Sequence, residues 1–233
     1  GNHIITTKIE HHAILHTAEF LEKHGIDVTY VGIGEDGRVD PAEIEAAITD
    51  KTVLISVMYV NNEIGTIQPI KEISDIAKKH SITFHTDAVQ ALHIDVKEQG
   101  IDLMSMSSHK IYGPKGIGAM YIKRGTKISN LIHGGAQESK KRAGTENLPG
   151  IVGFGKAAEL AYEHLDEHIN KVSELRNYFI DQVTSKIPYT KVNGSMEYRH
   201  PGNANISFEF IEGESMLILL DMNGIAVSTG SAC

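Results

Sequence analysis

The 233-residue sequence contains a single cysteine, Cys233, and no tryptophan. One cysteine excludes a disulfide within the chain, and such low cysteine usage is typical of a reducing compartment, so we expect a cytoplasmic protein. No stretch reaches the roughly 18 apolar residues that a membrane-spanning helix needs, and no basic-then-apolar leader is visible. The sequence therefore predicts neither a membrane span nor a secretory signal.

Positive charge is also scarce in this chain. Lysine and arginine together number 22, against 30 aspartates and glutamates, which gives a net charge of −8 and an isoelectric point near 5.9. This balance argues against general nucleic-acid binding, which relies on an excess of basic residues. An anionic group such as phosphate would have to be bound by local donors.

What the chain does contain is enough apolar material for a sizeable core. Hydrophobic residues make up 41% of the sequence, and the length suits one large domain or one and a half. The sequence starts at Gly1, goes almost directly into a strand-like run, and stops at Cys233 inside a loop rich in glycine and serine. We expect it to be a piece of a longer protein.

Strand and helix patterns alternate over the first 125 residues. Apolar runs predict strands at 4–7, 27–31, 53–58, 82–85 and 117–122, with a weaker one at 101–103. Between them, helices are predicted from residues 10–13 to Gly25, from Pro41 to about Ile48 with Asp40 as the cap, and from Pro69 to Lys79. This order predicts an α/β fold with a mainly parallel sheet and helices on both faces. Ligands then lie beyond the carboxyl ends of the strands.

The second half of the chain follows a different pattern. Residues 126–150 are irregular and polar, and residues 151–186 predict a helix, a bend and a second helix. Beyond them we expect a strand at 204–210, a helix at 214–222 and a strand at 225–227. These elements predict part of a second, smaller domain.

The most informative stretch is residues 104–116, which follows a predicted strand. Ser107, Ser108 and His109 offer closely spaced donors suited to a phosphate, and Lys110 can form an imine with a carbonyl compound. Pyridoxal phosphate carries both groups. Taken alone, a lysine is most often a solvated surface residue, so the residues around Lys110 must support the cofactor interpretation.

Other candidate residues are individually ambiguous. Asp87 is either a helix cap or a carboxylate that pairs with a pyridinium nitrogen, and Gln90 could reach the same ligand or be solvated. Asn62 lies in ordinary turn material. Cys233 is either a small buried side chain or, given its polar neighbours, an accessible nucleophilic thiol.

A cluster of histidines opens the first predicted helix. His12 and His16 have a spacing that could bind a metal, but no third ligand is evident, so we expect no metal site. His11 could stack on a flat cofactor, or it could be a capping or surface histidine.

Six motifs, in order along the whole chain, closely resemble the NifS/IscS-type cysteine desulfurases, which are class V aminotransferase relatives. The motifs are Glu-His-His-Ala at 10–13, Asn-Asn-Glu-Ile-Gly at 61–65, His-Thr-Asp-Ala-Val-Gln at 85–90, Ser-Ser-His-Lys-Ile-Tyr-Gly-Pro-Lys-Gly at 107–116, Arg-Ala-Gly-Thr-Glu-Asn at 142–147 and Ser-Thr-Gly-Ser-Ala-Cys at 228–233. The resemblance implies fold type I of the pyridoxal-phosphate enzymes. It also implies a large cofactor-binding domain over residues 1–163 and part of a small α+β domain over residues 164–233.

The resemblance implies a role for each site residue. Lys110 would bind the cofactor covalently, Asp87 would pair with its ring nitrogen, Gln90 would bond its phenolic oxygen, and His11 would stack on the ring and assist proton transfer. The remaining roles are phosphate binding by Ser107 and His109, contact with the phosphate of the neighbouring subunit by Thr145, contact with the substrate carboxylate by Asn62, and sulfur acceptance by Cys233.

The activity implied is conversion of L-cysteine to L-alanine, with the sulfur passed through a persulfide on Cys233 to an iron-sulfur scaffold protein or to another acceptor, as in tRNA thiolation. The implied assembly is a homodimer, without nucleic acid or membrane partners. The family's upstream Gly/Ala-Thr phosphate loop and its downstream substrate-binding arginine lie outside these 233 residues, so we expect this piece alone to show weak or no activity. Two alternatives are a relative acting on selenocysteine or cysteine sulfinate, and a non-catalytic scaffold that binds sulfur-transfer partners.

Overall fold

The computed structural model describes residues 1–91 and 93–230. A six-stranded sheet forms its first half, in the spatial order β2-β1-β3-β4-β5-β6. The first five strands are parallel and β6 runs antiparallel to β5. The strands are β1 His3–Thr7, β2 Asp27–Val31, β3 Thr52–Ser56, β4 Thr83–Asp87, β5 Leu103–Ser107 and β6 Gly118–Ile122. The predicted α/β fold with a mainly parallel sheet is confirmed.

Three helices connect the parallel strands, namely α1 His12–Glu22, α2 Pro41–Ala46 and α3 Ile70–Lys79. The predicted cap of α2 is confirmed, because the Asp40 side chain accepts a hydrogen bond from the Ala42 backbone N–H at 2.8 Å. After α1 the chain turns at Gly25, whose φ of +85° lies in the left-handed region that glycine adopts without strain.

The core lies where the central strands meet α3. Ile5, Ile55 and Phe84 on β1, β3 and β4 are fully buried, and they belong to one apolar cluster with Ile73 and Ala77 of α3. The continuous apolar runs of these strands are explained by this burial. The cluster holds the central strands in register and so fixes where their carboxyl ends lie.

The predicted helix, bend and helix of the second half are confirmed as α5 Leu148–Glu163 and α6 Leu165–Lys186, preceded by the four-residue α4 Gln137–Lys140. They are followed by β7 Thr190–Val192, β8 Ile206–Phe208 and α7 Gly213–Met222, with β7 and β8 forming an antiparallel pair. The division into domains at residues 163 and 164 stays a prediction.

The strand predicted at 225–227 is wrong. These residues are exposed and take no regular structure, and no strand in the described part of the chain pairs with them. A β-branched apolar run forms a strand only where a neighbouring strand accepts its hydrogen bonds. Conversely, β7 was not expected, because three residues give too short a pattern to recognise.

We expect Phe84→Ala to lower the free energy of unfolding by about 3–5 kcal/mol, because it leaves a cavity among fully buried neighbours. Phe210→Ala is the matched control, since this residue is 86% exposed and its ring contacts that of Tyr189 edge-on. That change should cost at most about 1.5 kcal/mol. Chemical denaturation measures both values, and equal losses would contradict the position assigned to the core.

Candidate active site

The candidate site lies at one edge of the large sheet. Because β1, β3, β4 and β5 are parallel, the residues that follow them all emerge at the same edge. Backbone hydrogen bonds connect these segments, from Tyr59 N–H to Asp87 C=O at 2.8 Å and from Ala88 N–H to Ser105 C=O at 3.0 Å. The turns after the strands are therefore held side by side.

Asp87 is the last residue of β4 and is 9% exposed. Its Oδ1 accepts a hydrogen bond from the Val89 backbone N–H at 3.0 Å, which stabilises a turn. The alternative of a helix cap is wrong, because no helix begins in the described residues between Asp87 and β5. Gln90 lies half-buried in the same turn, three residues after the carboxylate.

His85 lies two residues before Asp87 on β4, and its side chain connects three strands. One ring nitrogen lies 2.8 Å from the Ser56 hydroxyl on β3, and the other lies 2.9 Å from the Ser105 hydroxyl on β5. Burial lowers the pKa of His85, and the nearby Asp87 carboxylate opposes that shift. A neutral imidazole therefore bridges β3, β4 and β5 beneath the carboxylate.

Lys110 lies on a short 3₁₀ helix, Ser108–Ile111, which begins directly after β5 and was expected only as a loop. Ser107 and His109 flank its start, and the Ser107 hydroxyl lies 2.8 Å from His109 Nδ1. The turn ends at Tyr112, which adopts a left-handed conformation with φ of 65°. Lys110 is half-buried in this turn, and its role in binding a cofactor stays a prediction.

Ser108 anchors this turn from below. It is fully buried, and its Oγ has no hydrogen-bond partner within the described residues. The Gly113 N–H donates to the Ser108 C=O at 3.0 Å, and a Cβ added at Gly113 would collide with the Ser108 hydroxyl and lie 3.1 Å from Ala157 Cβ on α5. Glycine at 113 is required by this close approach.

We expect Gly113→Ala to displace the 3₁₀ helix and so to weaken binding of any ligand held by Ser107 and Lys110, with a loss of stability of roughly 1–3 kcal/mol from overpacking. Gly155→Ala is the control, because an added Cβ there meets nothing within 4 Å and the residue lies inside α5. That change should be neutral or stabilising by up to about 1 kcal/mol. Thermal melts and cofactor titration of both variants check the expectation.

His11 is the N-cap residue of α1, and its Nδ1 accepts a hydrogen bond from the Ala13 backbone N–H at 3.1 Å. The capping interpretation therefore applies to Nδ1, and the residue as a whole is half-buried. Stacking on a cofactor ring stays a prediction. His12 and His16 stack on each other with ring centroids 4.9 Å apart, and the described residues include no group of three or more side chains that could hold a metal ion.

The turn after β3 carries two asparagines with different surroundings. Asn61 is buried, and its Oδ1 accepts hydrogen bonds from the backbone N–H groups of Glu63 and Ile64, both at 2.9 Å. Asn62 is half-buried at the same edge, and its contact with a substrate stays a prediction. Of this pair, Asn61 is therefore the residue whose side chain forms the hydrogen bonds of the predicted turn.

A large cleft opens beside the site. It has a volume of about 1150 Å³, and Val89, Ser107 and Thr145 contribute to its lining. This volume is at the upper end for ligand pockets in proteins. Thr145 is exposed in the loop between α4 and α5, so the structure brings Ser107 and Thr145 to one cleft of the same chain. Cys233 lies outside the described residues.

Glu10 lies at the edge of the site, directly before His11, and the sequence analysis predicted no role for it. It is 4% exposed, and its Oε1 accepts hydrogen bonds at 2.8 Å from the Thr7 hydroxyl and from the Met58 backbone N–H. Burial, aided by the Asp87 carboxylate, raises the pKa of Glu10 to about 8. The only signal in the sequence was its place in the 10–13 motif.

The fold is a mainly parallel α/β sheet. At the edge where its strands end, it carries the turn with Lys110 and the buried side chain of Asp87, which is the arrangement of a type I pyridoxal-phosphate enzyme fold. The chain belongs to the aminotransferase class-V family, whose model matches residues 1–233.

Within this family the chain is similar to proteins named for sulfur chemistry. It is 61% identical to cysteine desulfurase IscS of Clostridium botulinum strain Hall, over 100% of this chain and 60% of the relative, and 56% identical to cysteine desulfurase IscS of Methanosarcina thermophila, over 100% of this chain and 58% of the relative. The chain thus spans about 60% of the length of these curated relatives.

Solved structures agree with the fold. A NifS-like protein superposes with a TM-score of 0.92 at 38% identity, covering 98% of this chain and 64% of that one. A structure described as SspA in complex with cysteine superposes with a TM-score of 0.82 at 36% identity, covering 99% and 65%. In the part of the chain that the structure describes, no helix has the length and apolarity to cross a membrane.

Proposed function

We propose that the full-length protein is a pyridoxal-phosphate-dependent cysteine desulfurase that converts L-cysteine to L-alanine and transfers the sulfur to Cys233 as a persulfide. One observation carries this proposal. A buried carboxylate, Asp87, ends β4, a hydroxyl–imidazole pair, Ser107 and His109, lies where β5 ends, and the amine of Lys110 follows at the same sheet edge. The names of the relatives support the same reaction.

These residues fit the cofactor chemically. The Asp87 carboxylate suits a protonated ring nitrogen, Ser107 and His109 supply donors for a phosphate, and Lys110 supplies the amine that an aldehyde requires. When bound, the cofactor would supply a ring that accepts electron density from the substrate. Gln90, in the Asp87 turn, would donate to the phenolic oxygen.

The other residues act on the substrate side. His11 would cover the ring face and move a proton, and Asn62 would bind the substrate carboxylate. Thr145 would bind the phosphate of a neighbouring subunit in a homodimer, which its exposed position allows. The Cys233 thiolate would form a bond with the substrate sulfur as the carbon–sulfur bond breaks, so that alanine leaves and the persulfide remains.

The sulfur would then pass to an acceptor, for which an iron-sulfur scaffold protein or a tRNA-thiolating protein is proposed. These 233 residues contain one cysteine, a low usage that suits a reducing compartment such as the cytoplasm.

The test is to load the full-length protein with pyridoxal phosphate, supply L-cysteine, and measure alanine together with the mass of the Cys233 peptide. We expect alanine release and a mass gain of one sulfur atom on that peptide, with selenocysteine and cysteine sulfinate as slower substrates. Absence of alanine would overturn the proposal. A faster reaction with cysteine sulfinate would reassign the substrate.

A further inference from the structure

Glu10 connects two turns at the edge of the sheet. Its carboxyl oxygen Oε1 accepts from Thr7 at the end of β1 and from the backbone of Met58 just after β3. A second contact joins the same two segments, since the Asn61 amide donates to the Ile9 C=O at 2.9 Å. The residue that follows Glu10 is His11, so these contacts set where the His11 ring lies.

The second carboxyl oxygen of Glu10 is in an unusual position. Oε2 is buried and has no hydrogen-bond partner within the described residues, although the side chain is only 4% exposed. Burying an oxygen of an ionised carboxylate without a hydrogen-bond donor costs several kcal/mol, because the charged oxygen loses its water. A neutral carboxyl group suits this place much better.

The nearby charge agrees with that reading. Asp87 is the charged neighbour whose field acts on Glu10, and Asp87 also acts on the buried His85, which is held neutral. Burial first, and the Asp87 carboxylate second, raise the pKa of Glu10 to about 8.

We propose that Glu10 is a positioning residue of the site, whose neutral carboxyl group joins the ends of β1 and β3 and so fixes His11 in relation to Asp87. This inference rests on the proposed function only where His11 acts on a bound cofactor. It predicts that the carboxyl must accept two hydrogen bonds and carry no charge. Glutamine meets both conditions, whereas alanine meets only the second.

The first measurement needs neither cofactor nor turnover. In the infrared spectrum of the full-length apoprotein at neutral pH, we expect a carbonyl band from a protonated carboxylic acid. The folded protein holds the Glu10 proton up to a pH of about 8, whereas an unfolded glutamate loses it near 4.5, so the band should fade as pH rises through about 8. Glu10→Gln should remove this band, and Glu72→Gln, on the exposed side of α3, should leave it.

The second measurement tests positioning in the loaded protein. Glu10→Ala should lower kcat for L-cysteine by roughly 10- to 100-fold with little change in KM, because His11 loses its placement while substrate groups remain. Glu10→Gln should restore kcat nearly to the wild-type value at neutral pH. A ring-nitrogen resonance of His11 that shifts in the alanine variant and not in the glutamine variant would report the same effect in the apoprotein.

The outcomes separate this inference from the proposed function. If the wild-type protein makes no alanine, the proposed function fails, and the infrared band and the His11 resonance still decide the role of Glu10. If alanine is made but both Glu10 variants are equally slow, or the band survives in Glu10→Gln, the positioning role in the neutral form is overturned.

Discussion

Replacing Lys110 by alanine is expected to abolish the visible absorbance that borohydride removes from the protein loaded with pyridoxal phosphate. The amine at 110 is proposed to form the covalent bond to the cofactor aldehyde, and it lies on the 3₁₀ helix that follows β5, at the same edge of the sheet as the end of β4 with Asp87. Turnover of L-cysteine should fall by at least about 10²-fold, the lower end for loss of a group that reacts directly.

Lys115→Ala is the matched control for this change. Lys115 lies in the same loop five positions further along and is exposed, so its loss should leave both the absorbance and the turnover intact. After borohydride reduction, peptide mass mapping identifies the modified lysine directly. A cofactor found on Lys115, or on any lysine other than Lys110, would overturn the assignment of the whole site.

Replacing Cys233 by alanine is expected to keep the absorbance but to eliminate alanine formation from L-cysteine. The thiol is proposed to accept the sulfur atom, and none of the other residues in this 233-residue sequence is a cysteine that could replace it. Cofactor binding should persist because the groups proposed for it, Asp87, Ser107, His109 and Lys110, come from other segments.

Cys233→Ser gives a second view of the same step. A hydroxyl group matches the thiol in size, but it cannot accept a sulfur atom to form a persulfide. Both variants should therefore be inactive to a similar degree, in an assay that counts alanine by mass spectrometry. Normal turnover in either variant would remove Cys233 from the mechanism.

The parallel sheet could be predicted from the sequence because each buried strand is visible as a short continuous run of apolar residues. The run at 53–58 contains almost only apolar residues, and the structure places β3 at Thr52–Ser56. The strand predicted at 225–227 was wrong for the opposite reason, since strand formation depends on a partner that a local pattern does not report.

The candidate site could be predicted as a set of turns, but not as a set of contacts. Asp87 follows a recognisable strand, yet its alternative as a helix cap was excluded only when the structure showed a turn there. Glu10 was missed because Met58, which donates a hydrogen bond to it, and Asp87, whose charge acts on it, are distant in sequence. Its raised pKa also depends on burial in the fold, which residue type alone does not report.

The antiparallel pairing of β6 with β5 has a kinetic consequence. Ser107 pairs with Gly118, so only the short segment between them must close for β5 and β6 to meet. The pairing of β1 with β3 instead joins His3 to Thr52, which are much further apart in the sequence. Short loops close at lower entropic cost and therefore earlier in folding. The segment bearing Lys110 is thus the hairpin connection itself, which can take shape before the longer-range parallel ladders are complete.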